Sequence, residues 1–124
     1  MQSKVFIFNI TGEEAAKIGA AAESCGAEVL AVSQADFEQT LGALLGILPR
    51  QNTVCLSPFS EKMLIMCGFS RPQMEQFLDR LREEKVAIPY KAMLTPTNLT
   101  WRCDALLKEL IKEHAQMQQI QGKS

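Results

Sequence analysis

MLIMCGFSRPQMEQFLDRL, residues 63–81, decides how the chain is read. Its first five residues are apolar without alternation, the pattern of a strand buried on both faces. Further on, Met74, Phe77, Leu78 and Leu81 recur at the spacing of one apolar helix stripe. The junction between them is well marked. Ser70 and Gln73 have capping-box spacing, Phe69 and Met74 occupy the staple positions, and Pro72 falls in the first turn, where its missing N–H costs nothing. The stretch therefore reads as a strand, a tight junction and a helix.

The same alternation extends outward. KVFIFNI (4–10), AEVLAVS (27–33) and VAIPYKAML (86–94) are further short apolar runs. A first helix carries Ala15, Ile18, Ala22 and Cys25 behind a Thr11/Glu14 capping-box spacing. A second, behind an imperfect Ser33/Asp36 pair, carries Phe37, Leu41, Leu44 and Leu45, and the last carries Cys103, Leu106, Leu107, Leu110 and Ile111. Residues 47–62 hold two prolines and little period, so they read as a long loop with a short extended piece at TVCLS. From about 116 the chain turns polar and is expected to fray. No internal repeat is read.

The order β-α-β-α-β-α-β-α predicts one α/β domain over residues 1–124. Its expected form is a small doubly wound, mainly parallel four-stranded sheet of order 2-1-3-4 with helices on both faces. Runs one and three are expected at the centre and all four strands parallel, with Pro89 and Lys91 marking run four as an edge. A ferredoxin-like α+β fold is the alternative. It needs a hairpin between runs two and three, where this chain has a helix and about 30 residues, a crossover length.

Composition narrows function by exclusion. The formal net charge is -1 from 13 basic and 14 acidic residues, so a general nucleic-acid binder, which needs a basic surface, is not expected. No apolar run reaches the length of roughly 20 residues that spans a membrane. MQSKVFIFNITGEE reads as a first strand rather than a signal peptide, and a cytoplasmic location is expected. Cys25, Cys55, Cys67 and Cys103 lack metal-ligand spacing, and His114 is the sole histidine, so neither a metal nor a cofactor is expected.

One junction stands apart. KAMLTPTNLTW, residues 91–101, concentrates a proline, an asparagine and three threonines between an apolar run and the last helix. With LGALLG (41–46), the GFS helix start (68–70) and LLKELIKEH (106–114), it resembles a small bacterial family known as domain of unknown function 3783. The similarity runs from the first strand to His114 and is weakest between Ile47 and Lys62. It implies a bacterial protein in which LTPTN-x-x-W is the family's signature, and it implies no activity or catalytic residues.

On the residues themselves, Asn98 or Thr100 is expected to cap the last helix, the other hydroxyls satisfying the turn. The sharper reading is an anion pocket. In an open parallel sheet, ligands bind beyond the carboxyl ends of the strands where the order reverses. That rule would gather Asn9, Thr11, Ser70, Thr95, Thr97 and Asn98 at one edge, with Arg71 or Lys91 as counter-charge. The expected function is a non-catalytic module binding a small anion or a protein partner. A homodimer through the last helix is also expected, because its apolar stripe continues to Met117 and Ile120. The alternative is a small enzyme using Cys67 or the Thr95/Thr97 cluster, for which the sequence offers no convincing base.

Overall fold

A computed structural model describes the backbone of residues 2–122 and the side chains of residues 2–117. The elements are β1 (Lys4–Phe8), α1 (Gly12–Ser24), β2 (Glu28–Ala31), α2 (Leu41–Leu44), β3 (Met63–Cys67), α3 (Arg71–Glu83), β4 (Tyr90–Met93) and α4 (Cys103–Gly122), with 3-10 turns at Gln34–Asp36 and Asn98–Thr100. They form two compact units. The first joins residues 2–34 with Ser60–Leu94, and the second joins Ala35–Phe59 with residues 95–122.

The first unit holds the four-stranded sheet in the order β2-β1-β3-β4. β1 and β2 are parallel, as are β3 and β4, but the central pair β1–β3 is antiparallel, with Lys4 opposite Cys67 and Phe8 opposite Met63. The strand order and mainly parallel character agree with the sequence reading; the expectation that all strands are parallel is corrected. β3 is buried at all five positions and β1 at four of five. A strand so uniformly apolar buries equally well in either direction, so its composition carries no sense of direction. No β2–β3 hairpin forms, which removes the ferredoxin-like alternative.

The antiparallel centre exposes an internal repeat that residue identity had hidden. α1 and α3 have the same 13-residue length and lie at a constant offset of 59 positions, Gly12 to Arg71 and Ser24 to Glu83. The offset holds at the caps. Ala27 N–H donates to Ala22 O as Val86 N–H does to Leu81 O, and Gly26 N–H to Glu23 O as Lys85 N–H does to Arg82 O, so both helices end in the same Schellman turn. It holds at the strand ends too, where Asn9 (φ 61°) and Gly68 (φ 75°) each turn left-handed after the strand. Lys62 donates to Glu14 at 2.7 Å where Ser3 donates to Gln73 at 3.0 Å, an ion pair at one end and a neutral bond at the other.

An approximate two-fold normal to the sheet, passing between Phe6 and Ile65, relates the two β-α-β halves. Val5, Ile7, Leu64 and Met66 share one core with Ile18, Ala22, Phe77 and Leu81, so both helices cover the same sheet face. Full burial of each large apolar side chain contributes about 1.5–3 kcal/mol.

Not every cap behaves as its spacing predicts. Ser70 and Gln73 form a full capping box. Thr11 makes no side-chain cap bond, because Gly12 starts the helix at φ 63° and Glu14 is drawn to Lys62.

In the second unit the expected second helix is short. Thr40 Oγ1 accepts from Ala43 N at 3.0 Å and so starts α2 at Leu41, and left-handed Gly46 follows its end. Buried Gln39 clamps the following loop by a reciprocal pair, donating to Gln51 O at 2.8 Å and accepting from Gln51 N at 2.9 Å. Phe37 stacks on Phe59 with centroids 4.4 Å apart. α4 buries Cys103, Leu106 and Leu107 and remains helical past 116, where its polar composition predicts fraying. No helix among the described residues is long and apolar enough to cross a membrane.

Candidate functional site

The antiparallel centre separates the residues that the sequence reading gathered at one edge. Asn9 and Thr11 follow β1 at the Met63 end of β3, whereas Ser70 and Arg71 follow β3 at the Lys4 end of β1. Five residues at roughly 3.3 Å each put those edges on the order of 16 Å apart. The single polar cleft is therefore corrected: these two pairs do not share a site.

Each group has its own local work. Asn9 donates to Glu61 O at 2.9 Å and accepts from Gln34 at 3.1 Å, its amide fixing the left-handed turn after β1. Ser70 is spent on its capping box. Arg71 is exposed and paired with Glu75 at 3.3 Å.

The LTPTN junction lies in the second unit. Thr95 N–H donates to Asn98 Oδ1 at 2.8 Å, and Asn98 N–H donates back to Thr95 Oγ1 at 3.0 Å. This is a capping box for the 3-10 turn that follows, and it buries Asn98. The density of polar groups there thus has a local cause. Thr97 is exposed and makes no side-chain cap bond, and neither Asn98 nor Thr100 caps α4, which starts three residues further on at Cys103.

Cys67 is fully buried, and burial pushes its thiol up to about 12 against the weaker pull of Lys4. At neutral pH it is a protonated core group rather than a nucleophile.

Lys91 is different. In the β3–β4 register it stands opposite Leu64, as Val29 stands opposite Val5 in the other half. Val29 is half-buried and packs against the core, so the exposed Lys91 presents an ammonium where the symmetry-related strand has an apolar side chain. Its Nζ donates to Ile88 O at 2.6 Å, and burial lowers its pKa below the ordinary lysine value. It lines a cavity of about 350 Å³ with Leu78, Leu81, Arg82, Val86 and Ala87. A larger cavity of about 500 Å³ carries the carboxylates Glu75, Asp79 and Glu83 against the single cation Arg80, an acidic lining unsuited to an anion.

Sequence reading missed one charged cluster. In the second unit Arg102 holds Asp104 through two bonds at 3.0 and 2.7 Å and Glu38 at 3.0 Å. The Asp104 bond, more than any other contact, raises the guanidinium's pKa. Burial, and then a bond to Glu38, raises the Cys55 thiol. Arg102 and Asp104 are two positions apart, but Glu38 and Cys55 come from remote segments, so no local motif announces the group.

Residues 62–117 match a family model described as Domain of unknown function (DUF3783). That segment runs from the residue before β3 to Met117 in α4, and the resemblance read from KAMLTPTNLTW and LLKELIKEH holds there. LGALLG and the first strand lie outside it. No curated protein and no solved structure matches the chain.

Proposed function

We propose that the protein is a non-catalytic binding module and that the Lys91 cavity in its first unit receives a small anion. The observation that carries this reading is the placement of Lys91 at the register position of Val29, a half-buried side chain packed against the core. Lys91 is exposed, yet burial of part of its side chain lowers its pKa, and it stands where the other half sets an apolar side chain against the core, a departure of the kind functional sites typically show. Arg82 stands beside it as a second cation, paired with Asp79 at 2.7 Å. The enzyme alternative finds less support. The Cys67 thiol is buried and held protonated, and the Thr95 hydroxyl is occupied by Asn98 N–H.

Thermal-shift measurements with phosphate and simple carboxylates test the proposal. A ligand bound only by the folded state raises Tm, and at a hundred times its Kd the gain is about 2.7 kcal/mol. The shift should vanish in Lys91→Met and survive in Arg71→Ala, whose side chain is far exposed on α3. An equal shift in wild type and Lys91→Met would sink the idea.

Self-association through α4 is a second reading, favoured by Met117 being 62% exposed. Ile120, which extends that stripe, has its side chain outside the described residues. Sedimentation showing only monomer at roughly tens of micromolar would reject a dimer of even that weak affinity. The four free thiols support placing the protein in a reducing compartment, the cytoplasm.

A further inference from the structure

The two halves of the first unit correspond closely enough for their differences to be set side by side. At the cavity the changes converge. Lys91 replaces Val29, and Arg82 replaces Glu23 at the constant offset, a reversal of charge. In the first half Ala27 is followed directly by β2 at Glu28; in the second, Val86 is followed by Ala87, Ile88 and Pro89 before β4 begins at Tyr90. Ala87, from that added segment, lines the cavity.

The resulting lining is four apolar side chains and two cations, with no carboxylate among the lining residues. A simple inorganic anion would leave the apolar wall facing water, and a hydrocarbon would leave the ammonium without a counter-charge. At roughly 30 Å³ per water-sized atom, a cavity of about 350 Å³ takes a ligand of roughly ten to twelve non-hydrogen atoms. One N–H of Lys91 is given to Ile88 O, which leaves two to donate. Arg82 is turned to Asp79, so the single available charge suits a monoanion.

We propose that the cavity binds an amphiphilic monoanion, a carboxylate on a hydrocarbon body of about eight carbons, with the carboxylate on Lys91 and the chain against Leu78, Leu81, Val86 and Ala87. This deepens the anion-binding reading above and rests on it.

The test is an NMR titration of the ¹⁵N-labelled full-length protein with octanoate, acetate and octan-1-ol in parallel. Octanoate is expected to shift the amides around Leu78, Leu81, Val86 and Lys91 saturably, with a Kd at least tenfold below that of acetate or octanol. Lys91→Met, which restores the apolar character of the Val29 position and so folds, should weaken octanoate at least tenfold and leave octanol unchanged. Lys91→Arg should retain most of the binding. If acetate binds as tightly as octanoate at the same amides, the hydrocarbon arm is overturned while the anion reading stands. If octanol matches octanoate and Lys91→Met changes neither, both are overturned. No shift with any of the three, or shifts confined to the carboxylate-lined cavity, overturns both as well.

Discussion

The reciprocal bonds between Thr95 and Asn98 allow a quantitative test of what the LTPTN junction does. Thr95→Val keeps the shape of the side chain and removes the acceptor for Asn98 N–H, now 3.0 Å away. Asn98→Ala removes the acceptor for Thr95 N–H, now 2.8 Å away, at a residue only 8% exposed. Each loss should cost about 1 kcal/mol, the usual size of a capping interaction. Both bonds close the same turn, so breaking one loosens the geometry of the other. The double variant should fall short of the sum by about 0.5 kcal/mol or more. Thr97→Val, at an exposed hydroxyl without a cap bond, should stay within about 0.5 kcal/mol of wild type. With an unfolding entropy of about 2.1 cal/mol/K per residue, 124 residues give roughly 260 cal/mol/K, so each 1 kcal/mol lowers Tm by about 4 °C. Trp101, the sole tryptophan, donates its backbone N–H to Asn98 O at 3.0 Å and so reports from beside the turn. Urea unfolding followed by its fluorescence gives each value. A Thr95→Val variant as stable as wild type, beside a Thr97→Val variant losing more than about 1 kcal/mol, would refute the structural role assigned to Thr95.

The repeat supplies a matched pair: Lys85 (φ 59°) and Gly26 (φ 80°) occupy equivalent left-handed positions after α3 and α1. Lys85→Gly should stabilise by about 0.5–1 kcal/mol and Gly26→Ala should cost about 1 kcal/mol, read from urea midpoints. Gly42→Ala would place a Cβ 2.5 Å from Leu48 Cδ1 and 3.1 Å from Leu99 O. Overpacking of about 1–3 kcal/mol should outweigh a helix-propensity gain of about 1 kcal/mol, and Leu48→Ala in the same chain should recover part of the loss. Because burial raises the Cys67 thiol from 9.0 to about 12, the folded state keeps a proton that the unfolded chain releases across that window. The stability contribution is complete below about pH 9 and declines as pH rises toward 12, so urea midpoints should fall from pH 9 to 10 in wild type and less in Cys67→Val.

What the sequence determined by itself is local. Apolar runs of strand length, the Ser70 capping box and the stripe of α3 depend on residues within a turn or two of one another, and all three are present in the structure. The strand order was also legible, since runs buried on both faces belong at the centre and Pro89 and Lys91 belong near an edge. The direction of β3 was not. It depends on which end of the sheet the chain re-enters after residues 35–59, and an apolar run offers the same burial either way. That one sign dispersed the expected cleft, because strand ends presumed to lie side by side fell at opposite edges. The repeat was invisible for a related reason: its halves share geometry, C-terminal caps and register rather than residues, with serine standing for lysine and valine for lysine. The proposal for Lys91 comes only from that comparison, since in the sequence it is one cation on an edge strand, and only the β3–β4 register sets it at the position where the other half has Val29 against the core.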